Sequence, residues 1–98
     1  MKIANEILQQ LGNNKFISMT GVKNLVALEN GLQMRLPRNS SKANVLRIEL
    51  TDSDTYSVTF YAYSNRDFSC PKVKEYNNIY AEQLQGIFTA QTGLLTKF

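Results

Sequence analysis

Residues 44–63, NVLRIELTDSDTYSVTFYAY, decide the fold because they form the clearest β-hairpin of the chain. Apolar and polar residues alternate along both arms, first at 46–50 and again at 56–62. Successive side chains of a strand point to opposite faces, so each arm has one apolar face and one polar face. The residues TDSD at 51–54 favour a tight turn, since Asp and Ser bond nearby backbone amides. This stretch predicts the centre of an antiparallel sheet.

A second hairpin is predicted immediately before this one. The runs NLVALE and LQMRL flank Asn30-Gly31, a pair that favours a two-residue type I′ turn because both residues tolerate positive φ. Such a turn pairs Ala27 with Met34. It also sets the outer face of this hairpin, which then carries Val26, Leu28, Gln33 and Arg35.

Helices are predicted at both ends of the chain. Apolar residues at helical spacing predict a first helix over residues 2–11, which ends at Gly12. The short apolar segment around Phe16 is either a strand or a buried connector. A second helix follows Asn77-Asn78, which suit an N-cap, and ends at Gly93. Gly86 inside this helix is interpreted as a close approach to the sheet, and residues 94–98 as a tail folding back over the core.

One more strand is predicted after Pro71. The run KVKEY at 72–76 places Val73 inward and Lys72, Lys74 and Tyr76 outward. The chain as a whole therefore has an α+β pattern, with an antiparallel sheet of four to five strands. The N- and C-terminal helices are expected to pack on one face of the sheet, in a single domain over residues 1–98. The other face is then open to water or to a partner.

Composition argues against many enzyme classes. The chain has no His and one Cys, so Ser-His-Asp catalysis, Cys-His catalysis and zinc sites of the Cys/His type lack their residues. A carboxylate magnesium site at Asp52 and Asp54 is the remaining alternative, but carboxylates in a turn are more often solvated. We therefore expect a non-enzymatic protein with no metal and no cofactor. No apolar run is long enough to span a bilayer, and a cytoplasmic protein with no membrane partner is expected.

Basic and aromatic residues gather on the predicted open face. The net charge is +3, and cations can neutralise phosphates while tyrosines stack on unpaired bases. The alternative is an ordinary solvated face, because Tyr is a good strand former and Lys discourages edge aggregation. The candidate nucleic-acid-binding residues are Arg35, Arg38, Lys42, Arg47, Tyr61, Tyr63, Lys72 and Lys74.

An apolar patch provides a second candidate surface. Val26 and Leu28 lie on the predicted outer face, with Tyr61 and Tyr63 nearby, and such a patch would suit a homodimer or a protein partner. The alternatives are that this face is assigned wrongly or that the C-terminal tail covers it. Cys70 has no His to activate it and is interpreted as incidental or structural.

Two segments carry a family resemblance. Residues 13–39 contain KFISMTGVKN and NGLQMRLPRN, and residues 75–98 contain a closing TGL. Both segments resemble short hypothetical proteins of bacteriophages and other mobile elements. That resemblance implies an accessory protein acting inside a bacterial host, and it supplies no catalytic residue. The expected function is macromolecule binding, to nucleic acid through the basic face or, as the alternative, to a host defence factor as an inhibitor or adaptor.

Overall fold

The computed structural model describes residues 2–37, 41–64, 66 and 69–94. Five strands form one antiparallel sheet in the order β1-β2-β3-β4-β5, so each strand pairs with its neighbours in sequence. This arrangement confirms the predicted α+β class. In chain order the elements are α1 (Lys2–Leu11), α2 (Asn13–Thr20), β1 (Lys23–Ala27), β2 (Gly31–Arg35), β3 (Val45–Leu50), β4 (Tyr56–Tyr61), β5 (Lys72–Ile79), a 3-10 turn (Ala81–Gln83) and α3 (Leu84–Thr92).

The core lies between one face of the sheet and the three helices. Alternate residues of the central strands point into it, including Met34, Ile48 and Phe60, each at most 1% exposed. Phe16 of α2 meets Phe88 of α3 edge to face, with ring centroids 5.0 Å apart. Burial of such side chains is the main stabilising contribution to a domain of this size. The opposite face of the sheet, which we call the outer face, carries the polar side chains.

The segment around Phe16 is a helix rather than a strand or an irregular connector. Gly12, at φ +124°, and Asn13, at φ 54°, turn the chain sharply after α1, and α2 starts at Asn13. The side-chain Nε2 atom of Gln85 donates to the carbonyl of Leu11 at 2.8 Å, which satisfies a free carbonyl at the end of α1. Asn13 and Asn14 therefore begin a second helix, which buries Phe16.

The hairpin formed by β1 and β2 has the predicted faces but a different register. The amide of Leu28 donates to the carbonyl of Gly31 at 2.9 Å, so the turn residues are Glu29 and Asn30. Ala27 consequently pairs with Leu32, and the predicted type I′ turn at Asn30-Gly31 is wrong. Gly31 is needed in the sheet instead, because a Cβ there would overlap the Ile48 carbonyl of β3. A shift of two residues leaves every side chain on its predicted face.

The central hairpin is confirmed. Leu50 pairs with Tyr56, and the amide of Thr51 donates to the carbonyl of Thr55 at 2.8 Å. Asp54 closes the turn in the left-handed region at φ 62°, a conformation that Asp tolerates better than most residues.

The predicted orientation of β5 is right at Lys72, which pairs with Tyr61 on the outer face, and wrong at Lys74 and Tyr76. Lys74 pairs with Phe60 and Tyr76 pairs with Val58, so both lie on the core side of the sheet. Val73 is the extra residue of a β-bulge, which moves the alternation by one position. The Tyr76 hydroxyl donates to Gln91 Oε1 at 3.0 Å, which ties this strand to α3.

The C-terminal region differs from prediction at its start. Asn77 and Asn78 remain in β5, and the helical segment begins after Tyr80. Gly93 ends α3 as predicted, at φ 75°, with its amide donating to the carbonyl of Thr89. A Cβ on Gly86 would meet nothing within 4 Å, so the predicted close approach to the sheet is wrong. Residues 95–98 of the predicted tail lie outside the described residues.

No helix in the described part of the chain is long and apolar enough to cross a membrane.

Candidate functional site

The outer face is organised in rows of side chains that cross the strands. Residues directly opposite each other in a sheet share a face, so successive cross-strand pairs define a row. With strands about 4.8 Å apart, a row over five strands spans about 19 Å. The row that we call the basic row consists of Lys23, Arg35, Val45, Tyr61 and Lys72. The next row, which we call the mixed row, consists of Val26, Gln33, Arg47, Thr59 and Glu75.

A groove of about 500 Å³ opens on this face over the three central strands, at the end of the sheet where β2 and β4 finish and β3 begins. Its volume lies within the range of ligand-binding clefts. The described residues that line it include two guanidinium groups, two phenol rings and no carboxylate. They are Gln33, Arg35, Val45, Arg47, Tyr61, Tyr63 and Cys70.

Each arginine of the groove lies against a tyrosine. The Cζ atom of Arg47 is 5.8 Å from the ring centroid of Tyr61. The Cζ atom of Arg35 is also 5.8 Å from the ring centroid of Tyr63. Both distances are within the range of cation–π attraction. The pairs place two positive charges beside two aromatic faces in one half-buried surface.

Arg47 is held in place by Gln33. Its Nε and Nη2 atoms donate to Gln33 Oε1 at 3.1 and 2.8 Å. A guanidinium has five N–H donors, so these two bonds leave further donors for an anion. Because Gln33 fixes the side chain beforehand, less rotamer entropy is lost when Arg47 binds a ligand.

Asn44 fixes the chain beyond the end of β4. Its Nδ2 atom donates to the carbonyl of Tyr63 at 2.8 Å, and its Oδ1 atom accepts from the amide of Tyr63 at 2.8 Å. This paired contact continues the strand-like pairing past Tyr61 and sets the position of the Tyr63 side chain. Sequence reasoning did not single out Asn44, Gln33 or Val45, because their roles depend on which residues face them on other strands.

The predicted basic residues are only partly brought together. Arg35 and Arg47 line the groove with both predicted tyrosines. Lys72 lies at the end of the basic row, where its Nζ atom is 3.5 Å from Glu75 Oε2. Lys74 lies on the core side, 5.6 Å from the ring centroid of Tyr76, so its predicted place on the outer face is wrong. Lys42 is exposed before β3, and Arg38 lies outside the described residues.

The two predicted apolar residues have different environments. Val26 is on the outer face, 48% exposed, opposite Gln33. Leu28 is half-buried at the hairpin turn. Cys70 is exposed and lines the groove, a position that the sequence did not predict.

Negative charge increases toward the other end of the sheet. The mixed row contains Glu75, and the row beyond it pairs Gly31 with Glu49 and Glu49 with Ser57. Asp52 and Asp54, the candidate magnesium ligands, are exposed in the hairpin turn. Over residues 2–37, 41–64, 66 and 69–94, no group of three or more His, Cys, Asp or Glu could hold a metal ion.

Comparison with protein-family models, curated proteins and solved structures finds no match to this chain.

Proposed function

We propose that this chain binds single-stranded nucleic acid on the outer face of its sheet, with the groove as the centre of the site. The observation that supports this most strongly is the pair of Arg–Tyr contacts within one groove whose described lining has no carboxylate. Guanidinium groups recognise phosphate oxygens through planar, charge-assisted hydrogen bonds. Tyrosine rings beside them offer surfaces for bases to stack on.

A single strand fits this surface better than a duplex. Bases in a duplex are already stacked on each other, whereas bases of a single strand are free to stack on side chains of a sheet. Tyr61 and Tyr63 are available for that contact because they face the groove and are half-buried rather than part of the core. An electrostatic surface without them would favour phosphate backbones alone.

The ordinary alternative is a solvated face without a ligand. The contact between Arg47 and Gln33 argues against it, because two hydrogen bonds restrict a long side chain that gains little from order on an open surface. The described lining also combines two cations without an acidic side chain, an arrangement that favours a bound anion.

Fluorescence anisotropy with labelled mixed-sequence DNA and RNA oligonucleotides tests the proposal. We expect affinity to fall with salt, with a log–log slope of about −0.7 for each phosphate that is neutralised on a single strand. Arg35→Ala and Arg47→Ala should each reduce the slope by about 0.7. Lys74→Ala, a lysine on the core side of the same sheet, is the matched control and should bind as the native chain does. A double variant that carries both Arg35→Ala and Arg47→Ala and binds the oligonucleotides as tightly as the native chain would refute the proposal.

Cys70 provides an independent readout of where the ligand lies. Because this thiol is exposed and lines the groove, a bound oligonucleotide should slow its alkylation. Alkylation at an unchanged rate under saturating oligonucleotide would place the ligand elsewhere.

We further infer that the chain acts by binding rather than by catalysis, as an accessory protein of a phage or mobile element in the bacterial cytoplasm. The motifs KFISMTGVKN and NGLQMRLPRN support this context through their resemblance to such proteins.

A host protein is the second candidate partner, favoured by the exposure of Val26 beside the groove. A pull-down from host lysate with and without nuclease separates the two. A host protein that is still recovered after nuclease treatment, but is no longer recovered with the Val26→Asp variant, would support the protein-binding function of an inhibitor or adaptor.

A further inference from the structure

We infer that the bound strand crosses the β-strands along the basic row, and that Lys23 contacts it beyond the groove. This inference rests on the proposed function and specifies the path of the ligand. Lys23 opens β1, the edge strand, and is exposed directly opposite Arg35.

The distribution of charge selects this direction. The basic row carries three cations and no carboxylate, whereas the mixed row carries Arg47 and Glu75. A ligand running parallel to the β-strands would move from Arg47 to Glu49, which is two residues further along β3 and roughly 6.6 Å away. A phosphate there would meet a like charge. A ligand that crosses the strands along the basic row stays beside cations.

The bulge in β1 keeps Lys23 in the row. Val26 pairs with Gln33 and Lys23 pairs with Arg35, so three residue steps on β1 match two on β2. Asn24, at φ 54°, lies within this irregularity. Without the extra residue the alternation of β1 would place Asn24 opposite Arg35, and the row would lack its first cation.

The two ends of the row differ in available charge. Lys72 at the β5 end lies 3.5 Å from Glu75, which neutralises part of its charge. Replacement of Lys23 should therefore reduce binding along the basic row more than replacement of Lys72, and it tests the inference better. A row of about 19 Å accommodates roughly three to six nucleotides, the larger number for a stacked strand with a rise of 3.4 Å.

The test measures affinity against oligonucleotide length for the native chain and for Lys23→Ala. With oligonucleotides long enough to extend past the groove, Lys23→Ala should weaken binding by about two- to fivefold, as expected for loss of one exposed charge contact. Its salt slope should also fall by about 0.7. With dinucleotides, which do not reach past the groove, both chains should bind equally. Lys2→Ala, an exposed lysine on α1, is the matched control.

Glu49→Gln provides the opposite test of direction. If the ligand crosses the strands, removal of this charge leaves affinity unchanged within about twofold, and a larger gain in affinity would indicate a path parallel to the strands. Loss of binding in the Arg35 and Arg47 variants, combined with no effect of Lys23→Ala at any length, would overturn the inference and leave the proposed function standing. No effect of any of these three variants would overturn both.

Discussion

Replacement of Gly31 by Ala should destabilise the pairing of the start of β2 with the end of β3. An added Cβ would overlap the carbonyl oxygen of Ile48 and would lie 2.9 Å from the Cα of Glu49. Both obstacles are backbone atoms, so no side-chain rotation relieves them, and the two strands must separate. Overpacking costs about 1–3 kcal/mol. The amide of Leu50 donates to the carbonyl of Asn30 at 2.8 Å, and loss of this bond adds about 0.5–1.5 kcal/mol.

The free energy of unfolding should therefore fall by about 1.5–4.5 kcal/mol. For a domain of this length each kcal/mol lowers the melting temperature by roughly 4–8 °C. The chain has no Trp, so urea unfolding is best followed by far-ultraviolet circular dichroism and tyrosine fluorescence. Both probes should give the same midpoint if unfolding is two-state.

Gly86→Ala is the matched control with the opposite expected sign. Gly86 is exposed within α3, and a Cβ there would meet no atom within 4 Å. Since Ala favours the helix over Gly, this change should raise the free energy of unfolding by about 0.5–1 kcal/mol. If the free energy of unfolding of the Gly31→Ala variant is instead within about 0.5 kcal/mol of the native value, the close approach of β2 to β3 is wrong.

Substitutions at three further positions test the core and the central turn. Phe88→Ala removes the ring that packs on Phe16 and should lower the free energy of unfolding by about 3–5 kcal/mol in urea; a loss below about 1 kcal/mol would contradict this packing. Burial, with a smaller contribution from the charge of Glu6, raises the pKa of Tyr56 above 10.0, so its stabilising contribution is full below pH 10.0 and is lost as the pH rises through the folded-state pKa. Tyr56→Phe should therefore lose less stability than the native chain in alkaline melts, and parallel curves would contradict the raised pKa. Asp54→Val, at φ 62°, should cost about 1–2 kcal/mol, whereas Asp54→Gly should not destabilise the protein.

Strand faces could be predicted from the sequence because alternation depends only on the local chain. The pattern of residues 44–63 predicts the central hairpin and places Arg47, Tyr61 and Tyr63 on its outer face, where all three line the groove. The register of the first hairpin could not be predicted in the same way. Gly31 is required by its close approach to the Ile48 carbonyl rather than by the turn. That approach involves a neighbouring strand, so the local sequence does not reveal it.

The site was partly predictable for the same reason. Lys74 was misplaced because one bulged residue, Val73, inverts the alternation, and nothing in KVKEY marks the bulge. The sequence does not predict Lys23 as a site residue, because the apolar pattern that indicates β1 starts at Asn24. Cys70 reaches the groove from a loop, and its position depends on the β4–β5 pairing rather than on local pattern.

The contacts among the helices determine when the protein can finish folding. Each strand pairs with a sequence neighbour, so the sheet can assemble from local hairpins as the chain leaves the ribosome. Phe16 and the Leu11 carbonyl, however, receive their partners from Phe88 and Gln85 of the last helix. A nascent chain that stops before α3 therefore has an uncovered apolar surface, and such intermediates are targets for chaperones and aggregation. α1 and α2 therefore reach their full stability only after α3 has been synthesised and has packed against them.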